Sequence, residues 1–239
     1  MQTKIYEKKI PIEIDWLDYK KTLKLSSLFR IFQDVSLNHL ELLSLGDEAT
    51  RKKNIHWVVS RYHVEINRLP KYGETITVST HPAPNIAFFF PRHYEILSES
   101  GEVLIKAGSL WALVDEKERK MVRPDEYRIP NLGILIGNEL QYPLPYRTNE
   151  GKNHCGMKAA YSDCDINGHL NNCSYFDIVE DLIPISYLSS HSAKAIDVHY
   201  KKEILIGENI EVSFEETNDL YTFHSDNFSL GIQFEESNN

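Results

Sequence analysis

A six-residue pattern, Gly-Glu-x-Ile-x-Val, occurs twice in the chain. It reads Gly73-Glu74-Thr75-Ile76-Thr77-Val78 and later Gly207-Glu208-Asn209-Ile210-Glu211-Val212. An Asp-x6-Leu spacing also recurs, at Asp18 and Leu25 and at Asp163 and Leu170. Each Asp-x6-Leu leads into a helix-like stretch and each hexapeptide follows one. In the first stretch Leu25, Leu28, Phe29, Phe32, Val35, Leu40 and Leu43 return at three- and four-residue steps; in the second, Phe176, Val179, Leu182 and Ile183 form one stripe. Ser26 or Ser27 can cap the first helix, with Gly46 past its end. Asn171 or Asn172 can cap the second, which Pro184 stops. A Gly-Glu turn before a strand is common alone; order, helix position and hexapeptide together point to duplication.

Strand patterns surround both helices. Alternation or β-branched and aromatic enrichment marks 4–14, 56–66, 75–78, 87–97 and 103–114, with a hairpin loop at Ser98-Glu99-Ser100-Gly101 and a charged turn at 115–120. A unit of this kind is an antiparallel sheet wrapped around one apolar helix. The expected class is α+β, with two such units packed as one body. The expected division is 1–128, a proline-punctuated linker at 129–152 (Pro130, Pro143, Pro145), and 153–239.

With the repeats aligned on Asp-x6-Leu, Asp165, Asn167 and His169 correspond to Lys20, Thr22 and Lys24, and Glu203 to Leu69. The polar set then stands in one copy only, which fits chemistry in the second repeat and an apolar ligand in the first. Asp165, Asn167 and His169 alternate, so an extended stretch would put them on one side, just ahead of a helix whose free N–H groups favour developing negative charge. Gly168 allows close backbone approach, Asn167 can donate from its amide, and His169 can act as acid or base. Asp165 can orient it or act as base or nucleophile. A polar turn that caps a helix uses the same residue types, so composition alone leaves both readings open.

The segment Asp165-Ile-Asn167-Gly-His169-Leu-Asn171-Asn172-x-x-Tyr175 resembles the active-site segment of the acyl-acyl carrier protein (acyl-ACP) thioesterases, the plant and bacterial enzymes that end fatty-acid elongation. Tyr200-Lys201-Lys202-Glu203 resembles that family's glutamate-bearing motif, and Trp57-Val58-Val59-Ser60-Arg61 and the stretch 68–74 resemble its first half. The resemblance implies a double hot-dog fold with one continuous sheet. It implies hydrolysis of fatty acyl-ACP to fatty acid and free carrier protein, with Asp165, Asn167, His169 and Glu203 as the catalytic set; no metal or nucleotide motif occurs, so no cofactor is expected. Some plant members carry a cysteine after the glutamate; here Ile204 stands there, so no thiol nucleophile is available at that position. Strand parity runs against Glu203, which falls with Asp197, His199 and Lys201 on the polar side of its alternation. Its role rests on the resemblance, and His199 reads as surface.

The comparison also makes the first repeat the acyl holder, with Trp57, Val59, Leu28 and Phe32 as candidate lining. Such residues form cores more often than slots. The net charge of -9 speaks against general nucleic-acid binding. An acidic carrier protein would demand a local basic rim, for which Lys20, Lys21, Lys24, Lys201 and Lys202 are candidates. Arg51-Lys52-Lys53 and Arg119-Lys120 read as solvated surface. Cys155, Cys164 and Cys173 fit no common zinc spacing and read as free thiols of a reducing compartment. No spanning segment or signal peptide is evident, so a cytoplasmic protein without membrane insertion is expected, with a homodimer as the analogy with other hot-dog proteins. Acyl-coenzyme A hydrolysis, hot-dog dehydration of 3-hydroxyacyl thioesters and non-catalytic acyl binding are the rival functions.

Overall fold

The computed structural model describes residues 4–131, 133–137 and 139–237. The first repeat contains β1 (Tyr6–Pro11), α1 (Leu25–Leu42), α2 (Asp47–Arg51), β2 (Ile55–Ile66), β3 (Thr75–Pro82), β4 (Phe89–Leu97) and β5 (Val103–Asp115). The second contains β6 (Asn153–Lys158), α3 (Ser174–Glu180), α4 (Ile185–Ser190), β7 (His191–Tyr200), β8 (Asn209–Thr217), β9 (Leu220–His224) and β10 (Phe228–Glu236). All ten strands form one antiparallel sheet in the order β1-β3-β4-β5-β2-β7-β10-β9-β8-β6. Read outward from its centre, each half of that order repeats the other.

The centre of symmetry is the β2–β7 pairing. His63 lies opposite Asp197, flanked by Tyr62 opposite Val198 and Val64 opposite Ile196. Both central strands carry a register shift at equivalent points, Val59/Arg61 in β2 and the stretch of β7 opposite Gln233/Phe234. One hydrophobic core runs through both repeats. α1 and α3 meet within it, where Phe29 and Phe176 stack with ring centres 3.9 Å apart. Arg30 bonds Asp177 at 3.1 Å beside that stack. Burial of an apolar helix stripe under each half-sheet follows from the three- and four-residue spacing of its leucines and phenylalanines.

Several local expectations are corrected. The N-cap of α1 is Lys24; Ser26 and Ser27 lie inside the first turn, buried. Gly46 lies past the end of α1, as expected, and caps α2; the left-handed residue after α1 is Ser44. α2 and α4 are too short to leave a periodic signal. Residues 129–152 contain no helix or strand among those described. They cross the sheet, with Glu139 near His81 (3.4 Å) and Tyr142 beside His93.

The alignment of the repeats also changes. A short 3-10 turn, Ile14–Trp16, precedes the loop in the first repeat, and its counterpart is Tyr161–Asp163. Leu17 bridges Leu23 and Cys164 bridges Leu170. Asp18 N–H donates to Thr22 O at 2.8 Å, and Asp165 N–H donates to His169 O at 2.8 Å. Asp165 is therefore the counterpart of Asp18, Asn167 of Lys20, and His169 of Thr22. The Asp-x6-Leu match is out of step by two because α1 begins two residues after Leu23 whereas α3 begins four after Leu170. Glu203 remains the counterpart of Leu69: Leu170 N–H donates to Ile204 O, as Leu23 N–H donates to Pro70 O, both at 2.8 Å.

Candidate active site

Residues 165–169 form a tight turn, not an extended stretch. Gly168 N–H closes it onto Asp165 O at 3.0 Å, and Gly168 takes the left-handed φ of 77° that the closure requires. The Asp165 carboxylate accepts the N–H of Asn167 at 2.8 Å and that of His169 at 3.3 Å. Such an aspartate-closed turn competes with extended structure locally, which is why alternation misleads here. Ile166 points out, 90% exposed. The turn does not run straight into α3; Asn171 intervenes and accepts the Cys173 N–H at 2.9 Å.

Glu203 is not on a strand face, because β7 ends at Tyr200. Residues 201–206 form a loop, and parity has no bearing on it. Asn227 O accepts the N–H groups of Lys201 and Lys202, and Asn227 Nδ2 donates to Glu203 O at 3.2 Å. Beyond Glu203 the loop zips onto the turn, with His169 bridging Leu205 and Ile206 N–H donating to Gly168 O at 3.0 Å. This lock brings Glu203 Oε2 to 3.6 Å from His169 Nε2.

The first repeat supplies the rest. Arg51, at the end of α2, donates to Asn167 Oδ1 at 3.0 Å while its Nε bonds Asp47 at 2.8 Å. That contact fixes the Asn167 amide with its NH2 turned away from Arg51, 3.4 Å from Asp165. Arg119, in the turn after β5, pairs with the same Glu203 oxygen that faces His169. His56, at the start of β2, lies against this group. Burial pushes its imidazole below the ordinary value; Glu116 opposes the shift, while Arg119, His169 and Arg51 add to it. Arg51 and Arg119 remain exposed, but each reaches a candidate site residue, Asn167 and Glu203 respectively. No local signal marks them, because each reaches its partner across the two repeats.

The remaining expected residues scatter. Lys201 and Lys202 directly precede Glu203; Lys201 Nζ donates to Ser225 O at 2.9 Å, and burial lowers its pKa. Lys20 and Lys21 lie on the other repeat's turn. Lys20 Nζ is held by Leu188 O and His191 O at 2.7 and 2.8 Å, and with Lys24 it lines an open cleft of about 330 Å³ against α4. Leu28 and Phe32 are fully buried in the shared core, with Val59 also buried in it. Trp57 donates to Leu45 O at 2.8 Å and lines a small apolar cavity of about 30 Å³ with Leu40, Phe90 and Trp111. His199 is half-buried rather than surface, and burial lowers its pKa. Cys164 and Cys173 are free thiols with raised pKa values, Cys173 up to about 12 through burial, which disfavours the thiolate form of both. Among the described residues no cluster of His, Cys, Asp and Glu can hold a metal, and no helix is long and apolar enough to cross a membrane.

The acyl-ACP thioesterase N-terminal domain model matches residues 3–130, and the acyl-ACP thioesterase C-terminal domain model matches residues 146–237. The chain belongs to the acyl-ACP thioesterase family. An acyl-[acyl-carrier-protein] hydrolase of Cuphea viscosissima is 27% identical over 198 residues, 77% of this chain and 48% of that protein. Oleoyl-acyl carrier protein thioesterase 2 of Arabidopsis thaliana is 25% identical over 224 residues, 83% of this chain and 59% of its own length. The chain spans about half the length of the Cuphea relative it matches. The structure of the 12:0-ACP thioesterase from Umbellularia californica superposes with a TM-score of 0.84 at 19% identity, covering 99% of both chains. An acyl-ACP thioesterase from Bacteroides thetaiotaomicron gives 0.83 at 21%, covering 97% and 98%. The fold of this family member is accordingly the α+β double hot-dog.

Proposed function

We propose that this acyl-ACP thioesterase family member hydrolyses fatty acyl-ACP, with Asp165, Asn167, His169 and Glu203 as its catalytic set. The observation that carries the reading is the His169–Glu203 pair, 3.6 Å apart on a turn and a loop locked together by backbone bonds. A thioester needs a base to activate water and an acid for the departing thiol, and an imidazole beside a carboxylate supplies both. Water attacks the carbonyl carbon and passes a proton to the His169–Glu203 pair. The tetrahedral oxyanion is met by the Asn167 NH2. Collapse breaks the C–S bond and the thiol leaves with the proton, giving fatty acid and free carrier protein.

Direct water attack is favoured over an acyl-aspartyl intermediate. Asp18, the counterpart of Asp165, accepts the Thr22 N–H at 2.9 Å in a repeat that lacks the histidine and glutamate. A carboxylate kept in both copies for the same turn is explained by holding the turn. The first repeat holds the acyl chain in this reading, and the second carries the chemistry. The carrier docks by the Lys201–Lys202 loop, where two cations adjoin Glu203. Three free cysteines fit a reducing compartment such as the cytoplasm.

Comparing kcat/KM for palmitoyl-ACP and palmitoyl-coenzyme A tests the reading. Preference for the carrier-bound substrate, weakened by Lys201→Glu and Lys202→Glu mainly at low salt, is expected. Equal rates on both thioesters would favour the coenzyme A reading, and no turnover of either would favour an acyl-binding role.

A further inference from the structure

We propose that Arg119, a residue of the first repeat, is a positioning residue that keeps the Glu203 carboxylate ionised and aimed at His169. The proposal rests on the hydrolase reading above. Two independent observations carry it.

The first is the shared atom. Glu203 Oε2 is the oxygen that faces both His169 Nε2 and the Arg119 guanidinium. A guanidinium stabilises the anionic carboxylate and limits its rotation, so the carboxylate is held facing the imidazole. The second is the backbone. Arg119 sits at φ 54°, in the left-handed region that glycine and asparagine favour. The turn closes without its side chain: Arg119 N–H donates to Asp115 O at 2.9 Å, and the Asp115 carboxylate accepts the N–H groups of Lys117 and Glu118, each at 2.9 Å. The turn's closure therefore does not use the Arg119 side chain, which is free to reach the Glu203 carboxylate.

The charged groups near the pair, near His56 or near Lys201 come from several elements. His169 and Asp165 lie on the catalytic turn, Arg51 on α2, His56 on β2 and Glu116 in the Arg119 turn. Lys201 and Lys202 lie on Glu203's own loop, and Asp226 in the turn before β10. Among the described residues' ion pairs, Arg119 is the Arg or Lys that contacts Glu203. Removing an opposite charge at contact range raises a carboxylate's pKa. The acid limb of the kcat/KM profile should move up accordingly, while rates on the alkaline side change less.

The test is a pH profile of palmitoyl-ACP turnover for wild type, Arg119→Lys, Arg119→Gln and Arg119→Gly, with His169→Ala beside them and a thermal midpoint for each. The expected result is an acid limb raised by about one unit or more in Arg119→Gln and Arg119→Gly, and largely restored in Arg119→Lys. Arg119→Gly should keep or raise the thermal midpoint, because glycine suits the left-handed backbone. An unmoved acid limb in Arg119→Gln and Arg119→Gly, with an active wild type and a dead His169→Ala, overturns the proposal alone. An inactive wild type, or a fully active His169→Ala, overturns the hydrolase reading and the proposal with it.

Discussion

His63 and Asp197 bond each other at 2.8 Å at the point where the two repeats' central strands cross their shared symmetry axis. They are equivalent positions of the two repeats, as are Arg30 and Asp177 (3.1 Å) and Phe29 and Phe176. Two identical copies would set like against like at each place. Here two of the three are complementary pairs between the repeats.

The His63–Asp197 pair should give stability a definite pH dependence. The bond to Asp197 raises the His63 pKa, more than burial lowers it. A raised histidine contributes fully below its unfolded value of about 6.5 and loses its contribution as pH climbs through the folded value. The thermal-midpoint gap between wild type and Asp197→Asn should be widest near pH 5.5 and close toward pH 9; a gap that widens with pH would refute it.

His93 should act in the opposite sense. It is 4% exposed, neither ring nitrogen has a hydrogen-bond partner among the described residues, and burial holds its pKa down to about 4. Its neutral form is favoured in the fold, so stability is lost as pH falls from about 6.5 through 4. The loss from this group alone is roughly 3 kcal/mol. Denaturant melts of His93→Gln should show a shallower acid decline than wild type over that window.

Asp18 and Asp165 perform the same local task and should separate cleanly by readout. Replacing either with alanine removes an acceptor for turn N–H groups, a stability cost on the order of 1 kcal/mol. Only Asp165→Ala should also reduce thioester turnover. Comparable loss of kcat in Asp18→Ala would mean that the turn's stability, and not its catalytic content, governs the rate.

Leu28 and Phe32 should report as core residues before they report as slot residues. Both are completely buried, and Phe32 packs 4.6 Å from Tyr94. Alanine at either position should cost about 2–5 kcal/mol in a denaturant melt. Trp57, half-buried beside the small apolar cavity, should instead shift the chain-length profile on truncation, with a smaller stability loss.

Legibility in the sequence followed locality. The helix of the first repeat was readable because eighteen residues give its apolar stripe several periods, and the duplication because a hexapeptide survives in both copies. The 165–169 turn was readable as a motif but not as a shape: an aspartate side chain folds it, and alternation cannot tell a turn from a strand. Glu203 looked like a surface residue because its strand ends three positions earlier. Arg51 and Arg119 were hidden for a stronger reason. Their partners, Asn167 and Glu203, lie in the other repeat, and only the joined sheet brings them together.

The most direct measurement is single-turnover hydrolysis of palmitoyl-ACP by wild type, His169→Ala and Glu203→Gln at matched stability. The account predicts a fall of roughly 10²–10⁴-fold in each variant, the scale for losing a general acid or base. A Glu203→Gln enzyme that retains the wild-type rate would contradict it.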